Sequence, residues 1–240
     1  MEENQLKNIE LSVVVLCYHS ETFVESFVQQ LEKELDALVV NYELVLVANY
    51  DKNSNDNTPQ IIKEIASRNN KIKILVEEKK GGMGWDMRSG LSAANGNYIA
   101  VIDGDAQMPC SDIPLVYKLI KAGNYDLVKT YRATRYDGIV RIILSKTYNI
   151  LFNILYASAW SLKDINSKPK IFTKQAYQLM QLRSNDWFTD AEIMIEALNH
   201  KMKICEVSTV FYKNERRSSF VGVSTVFEFI YNLFYYRFMK

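Results

Sequence analysis

Short apolar runs alternate with stretches of helical periodicity through the first half of the chain. Leu11-Ser12-Val13-Val14-Val15-Leu16 is a strand by its length and β-branched content. Apolar residues at helical spacing follow from about Glu21 to Leu38, and Tyr42–Ala48 is a second strand. Asn49–Asn57 is a polar loop. Thr58-Pro59 then opens a helix to about Arg68, with proline in the first turn, where its missing N–H leaves no bond unmade. Ile72–Val76, a helix over Gly84–Ala94 and a strand over Asn97–Asp103 complete this half. Such alternation predicts an α/β fold with a mostly parallel sheet covered by helices on both faces.

The second half continues with a helix near Asp112–Ala122, a strand Asp126–Tyr131 and a greasy stretch Ile139–Trp160. A strand Pro169–Thr173, helical Lys174–Leu182 and Thr189–Asn199, a strand Met202–Val207 and a last helix Val223–Phe238 follow. With no repeat, low-complexity tract or linker, residues 1–240 are expected to form one domain. Within the greasy stretch Arg141, Ser145, Asn149 and Asn153 recur every fourth position, a narrow polar stripe on an otherwise apolar helix. Ser224, Glu228 and Asn232 repeat the pattern in the last helix. Segments 137–162 and 222–240 therefore read as amphipathic helices suited to lying on a membrane surface. Packing on the domain's own sheet, or on a second copy in a homo-oligomer, is the alternative. Neither has the roughly 20 apolar residues that a spanning helix needs.

The 240 residues carry a net charge of +1, which gives nucleic acid no global attraction. Three scattered cysteines, Cys17, Cys110 and Cys205, form no CxxC pair and read as buried thiols in a reducing compartment. The acidic, polar start is not a signal peptide, so a cytoplasmic location is expected. Most of the 15 Tyr and 11 Phe fall toward the C-terminal half.

The chemistry concentrates at Asp103-Gly104-Asp105, directly after the fourth strand, with Gln107 two residues on. In an open α/β sheet, ligands bind in the crevice outside the carboxyl ends of the strands. Two carboxylates and an amide oxygen there suit Mg²⁺ or Mn²⁺ shared with substrate phosphates. Lys79-Lys80-Gly81-Gly82-Met83-Gly84 precedes a helix holding Arg88 and Gly90. It reads equally as an anion cradle or as a flexible turn, and matches neither a P-loop nor a dinucleotide fingerprint.

Together these segments resemble family 2 glycosyltransferases. Leu11–Leu16 with Tyr18 and Glu21 is similar to the family's opening SVVIPVYNE, and Asn49–Thr58 to its DDGSTDGT. Gly84 to Gly90, then Ala94 to Ile99, is similar to the stretch leading into its DxD. Tyr148–Asn153 and Asp164–Phe172 resemble the polyprenyl-phosphate group, which includes dolichol-phosphate mannosyltransferases and whose segment reads D..SGFKlf. The resemblance implies a GT-A fold, a UDP- or GDP-linked sugar donor and a metal on Asp103, Asp105 and Gln107. Tyr18, Glu21, Asn49, Asp56, Gly84, Arg88 and Asp103 would line the donor site, and two helices would rest on the bilayer at the inner face of the cell membrane. Three departures stand out: Leu16-Cys17 replaces the proline of the opening, Asn49-Tyr50 the base-reading Asp pair, and Ser167-Lys168-Pro169 the Ser-Gly-Phe. They leave room for a non-catalytic domain that binds nucleotide or a partner, against which the intact acidic turn counts.

The acceptor is open at this level. A lipid phosphate is already ionised and needs cations to position it. Arg132 and Arg135, at the end of strand Asp126–Tyr131, and Arg216 and Arg217 are the candidates, with Arg132 foremost. A saccharide hydroxyl would need a base, for which Asp190 is the choice unless Thr189 or Asp190 merely caps the following helix.

Overall fold

A computed structural model describes residues 9–21, 23–156, 162–214 and 223–239. Seven strands form one sheet: β1 (Leu11–Leu16), β2 (Tyr42–Val47), β3 (Ile72–Leu75), β4 (Tyr98–Asp103), β5 (Leu127–Arg135), β6 (Lys170–Thr173) and β7 (Ile204–Phe211). Their order is β3-β2-β1-β4-β6-β5-β7. β6 alone runs against its neighbours, antiparallel to both β4 and β5, while β1 to β4 pair in parallel and so do β5 and β7.

The helices are α1 (Phe23–Asp36), α2 (Thr58–Ser67), α3 (Met83–Ala93), α4 (Asp112–Gly123), α5 (Ile139–Leu155), α6 (Lys174–Leu179), α7 (Thr189–Asn199) and α8 (Val223–Phe238). Leu11, Val13 and Val15 of β1 pack with α1, α2 and α4, whereas Val14 and Leu16 pack with α3 and α7 and the inner sides of α5 and α8. Because β1 is buried on both faces it is apolar almost throughout, as a central parallel strand must be. Gly90 is where α3 meets the sheet: a Cβ there would stand 2.4 Å from Val14 Cγ1 and 2.8 Å from Val47 Cγ2.

Two strands run further than their sequence pattern suggests. β5 continues through Arg132 to Arg135 because β7 pairs with it along its whole length, with an irregularity between Arg132 and Thr134. Arg132 thus lies inside a strand and not at its end. Cys17 and Cys110 are buried, but Cys205 on β7 is only half-buried, since it lies on the sheet's edge strand.

α5 and α8 are inverted relative to ordinary surface helices. Their polar stripes face the protein: Asn149 Oδ1 accepts from Ile165 N, and Asn153 Nδ2 donates to the Leu162 carbonyl. On α8, Glu228 Oε1 accepts from Trp187 N and Asn232 Nδ2 donates to Asp186 Oδ2. Ile139, Val140, Ile143, Leu144, Ile150 and Ile154 of α5 point outward and are exposed, as are Phe227, Tyr231, Phe234 and Phe238 of α8. Residues 157–161 at the end of the greasy stretch lie outside the described residues. Among the described residues no helix is long and apolar enough to cross a membrane.

Candidate active site

The switch in strand order lies at β1 and β4: the chain winds from β1 out to β3 on one side, then returns to place β4 on the other. At their carboxyl ends Leu16 pairs with Asp103, and Gly104 N donates to the Leu16 carbonyl at 2.9 Å. The turn beyond is held closely. Ala106 has φ +56°, Gln107 N donates to Asp105 Oδ1, and Gln107 exchanges two bonds with Tyr212, its backbone carbonyl accepting from Tyr212 N and its Nε2 donating to the Tyr212 carbonyl. With its amide nitrogen so engaged, Gln107 has Oε1 left as its ligating end.

Asp103, Asp105 and Gln107 are thus brought together on one turn. Hard oxygen donors in this set fit Mg²⁺ or Mn²⁺ completed by phosphate oxygens and water. No cluster of three or more His, Cys, Asp or Glu among the described residues would hold a metal by itself. A cation here therefore has to rely on the amide and on ligand oxygens.

Behind the turn stands a group of buried charges. Lys168 Nζ lies 3.1 Å from Asp103 Oδ1 and 3.0 Å from Asp190 Oδ2, and Lys170 Nζ lies 2.5 Å from Asp190 Oδ1. Lys129, wholly buried, binds Glu206 Oε1 at 2.9 Å and the Asp164 carbonyl. Burial alone would raise the Asp190 carboxyl, but the two ammonium groups overcome this and hold it below the usual carboxylate range. Lys170 is pushed down to about 8 by burial, against the pull of Asp190. Neither Thr189 nor Asp190 caps α7 through its side chain: the N-cap position is Phe188, Thr189 Oγ1 turns back to the Ser184 carbonyl, and Asp190 is taken by the lysines. Tyr148 Oη is buried with no hydrogen-bond partner among the described residues and feels the Asp190 charge.

Arg132 forms a two-pronged pair with Asp164, Nε to Oδ2 at 2.7 Å and Nη2 to Oδ1 at 2.8 Å. Arg135 pairs in the same manner with Asp137. In both, the Nε/Nη2 edge of the guanidinium is taken from within the chain. Arg216 and Arg217 lie outside the described residues.

The remaining candidates divide between two places. Tyr18 donates to Asp51 Oδ2 at 2.6 Å, and Lys79 Nζ sits 3.8 Å over its ring. The same ammonium pairs with Asp86 at 2.5 Å. Asn49 is consumed: its Nδ2 donates to Asp86 Oδ1 and its Oδ1 accepts from Glu77 N. Both ends of the Asn49 amide are thus engaged within the chain. Asp56 organises the loop, accepting from His19 N, Thr58 N and Thr58 Oγ1, while Glu21 N donates to Thr58 Oγ1. Gly81 to Gly84 are packed closely against a neighbouring segment. Gly82 N donates to the Asn185 carbonyl, and a Cβ on Gly84 would stand 2.0 Å from Thr189 Oγ1, so the glycines admit the 184–189 segment against α3. Arg88 donates to the Leu182 carbonyl and lines a separate groove with Trp85 and Tyr177.

Sequence reasoning passed over Lys129, Lys168 and Lys170. The signal was there: a Lys-Pro-Lys leads straight into a buried strand, where each charge needs a partner.

Residues 12–186 match the family described as glycosyl transferase family 2. The chain belongs to that family. The family 2 chain is 31% identical over 184 residues to an undecaprenyl-phosphate 4-deoxy-4-formamido-L-arabinose transferase of Photorhabdus laumondii, covering 75% of this chain and 53% of that one. It is 27% identical over 195 residues to a dolichyl-phosphate beta-glucosyltransferase of Trichomonas vaginalis, covering 76% and 58%. The chain spans little more than half the length of these curated relatives. Among solved structures, glucosyl-3-phosphoglycerate synthase from Mycobacterium tuberculosis with Mn²⁺, UDP-glucose and phosphoglyceric acid superposes at TM-score 0.73 and 16% identity, over 98% of this chain and 82% of that one. The same enzyme with Mn²⁺, UDP and phosphoglyceric acid gives TM-score 0.72 and 17% identity, over 98% and 80%. The fold of this family 2 member is GT-A, with its mostly parallel sheet between two helical layers.

Proposed function

We propose that this chain moves a sugar from a nucleotide-diphosphate sugar to a polyprenyl phosphate at a membrane surface, with inversion at the anomeric carbon. The observation that carries this reading is the inverted polarity of α5 and α8. Their polar sides brace the segments at 162–165 and 186–187, next to the buried charges, and leave an apolar layer outward beside the site. A lipid interface covers such a layer. Relatives named for undecaprenyl phosphate and dolichyl phosphate point the same way. Peripheral attachment to the inner face of the cell membrane, by a single domain over residues 1–240, is part of this proposal.

Asp105, Gln107 and Asp103 would hold Mg²⁺ or Mn²⁺, which supplies positive charge to the departing diphosphate. The relatives in structure bind UDP and Mn²⁺, and a UDP-linked donor is the first choice for this chain, with Tyr18 and the loop around Asp56 beside it. The bond from the anomeric carbon to the nucleoside diphosphate breaks as an acceptor phosphate oxygen bonds to that carbon, and the diphosphate leaves with the electron pair. No proton needs removal, because the acceptor oxygen is already ionised.

Asp190 agrees with that chemistry. A carboxylate tied to two ammonium groups is too weak a base to activate a hydroxyl, which disfavours a saccharide acceptor. With the Nε/Nη2 edges of Arg132 and Arg135 already paired to Asp164 and Asp137, Arg216 and Arg217 are the first choice for the acceptor phosphate in this reading. The test supplies radiolabelled nucleotide sugar with undecaprenyl phosphate, or with phosphoglycerate, in the presence of Mn²⁺. Label extracted into organic solvent with the lipid is the expected result, and label appearing only on the soluble acceptor rejects the lipid acceptor.

A further inference from the structure

Lys168 stands where the polyprenyl-phosphate segment carries glycine, and its side chain is not a surface addition. The ammonium is buried and spans both oxygens of Asp103, at 3.1 Å and 3.2 Å, while holding Asp190 at 3.0 Å. Its own backbone is fixed as well, the Lys168 carbonyl accepting from Thr130 Oγ1. Asp190 keeps a second cation in Lys170, but Lys168 is the one ammonium recorded on Asp103 among the described residues. A positive charge therefore already occupies the carboxylate that the metal reading needs.

We propose that Lys168 is a built-in counter-ion that competes with the divalent cation for Asp103. This rests on the metal site proposed above. Two consequences follow from electrostatics. An ammonium about 3 Å from Asp103 both neutralises that ligand and repels an incoming dication, and the effect is strong because the group is desolvated. The donor-free protein then binds metal weakly, through Asp105 and Gln107, and binds it well only when a nucleoside diphosphate brings phosphate oxygens of its own. Lys168 makes metal loading conditional on the donor. It is a positioning residue, acting through Asp103.

The test is Mn²⁺ titration followed by electron paramagnetic resonance, with Mn²⁺ alone and then with UDP or GDP added. Lys168→Met should tighten donor-free Mn²⁺ binding about tenfold or more, and K168R should restore the weak binding of the parent. Asp103→Asn should change donor-free affinity less than about twofold in the parent, where Asp103 is already neutralised, and should erase the gain in the K168M protein. Unchanged or weaker Mn²⁺ binding by folded K168M overturns the proposal. So does an Asp103→Asn loss in the parent as large as in K168M. If K168M does not fold, the parent decides alone: a large Asp103→Asn loss there is the overturning result, and a small one is the expected result. If none of the proteins takes up Mn²⁺ even with nucleotide, the metal site itself falls. If the parent takes it up with nucleotide and K168M behaves alike, only the role of Lys168 falls.

Discussion

The outward faces of α5 and α8 make a quantitative demand on membranes. Phe227 and Phe238 are each 69% exposed. A phenylalanine presents roughly 200 Å², and at about 25 cal/mol per Å² complete immersion of the exposed part gives about 3.5 kcal/mol per ring. An interfacial helix sinks roughly half of such a surface, leaving close to 1.7 kcal/mol each. The double substitution F227S/F238S should therefore weaken partitioning onto vesicles by about 3 kcal/mol, a factor between roughly 100 and 1,000. Sedimentation with sucrose-loaded vesicles containing anionic lipid measures it directly. Both rings stand clear of the core, so folding stability should stay within about 0.5 kcal/mol of the parent. Deleting α8 is a poorer test, because Leu233 is fully buried and Tyr236 binds Glu192. Val39→Ser is the control: it removes an exposed apolar side chain (92% exposed) that lies outside α5 and α8. A loss of less than tenfold for the double variant, or an equal loss for V39S, would refute the assignment of this face to lipid.

Asp105→Ala should abolish sugar transfer while leaving circular dichroism and thermal midpoint close to the parent, since Asp105 is half-buried on a turn and not in the core; parent-like turnover would remove the metal assignment. Restoring the family's residue with Asn49→Asp should harm the protein, because it removes the donor to Asp86 and sets two carboxylates together. A loss of about 2–4 kcal/mol by denaturant titration is expected, largely recovered in N49D/D86A, and a neutral N49D would contradict the reading. Asp164→Asn should cost about 3–5 kcal/mol at pH 7 by leaving Arg132 unpaired. Burial works against the Asp164 carboxylate, but Arg132 outweighs it and depresses the carboxyl. Its contribution is thus complete above the unfolded value near 3.9 and fades as pH falls through the depressed folded value. Parent and D164N stabilities should converge only in strong acid, and convergence already near pH 5 would disprove this coupling.

What the sequence could and could not disclose follows from which interactions are periodic. β1, β2 and β4 are buried on both faces, so their apolar runs name them and the acidic turn after β4 falls at the crevice by topology alone. The extent of β5 is hidden because Arg132, Thr134 and Arg135 have no apolar pattern; their strand state comes from pairing with β7, distant in the chain. β6 is too short for its direction to show. Periodicity finds the stripe of Arg141, Ser145, Asn149 and Asn153, yet it cannot say whether a stripe faces water or protein; only the bonds to Leu162 and Ile165 decide that. Gly81 to Gly84 are ambiguous for a related reason, since glycine marks close approach without naming what approaches, and here the 184–189 segment does. The same logic explains the lysines. A Lys-Pro-Lys beside a buried strand is a local conflict, costly unless each charge finds a partner, and such conflicts concentrate where chemistry is done. Asp103 and Asp190 lie far apart in sequence and share Lys168 as a common partner. The departure from glycine at that position is therefore the most informative residue in the second half of the chain, because its ammonium joins the turn after β4 to the start of α7.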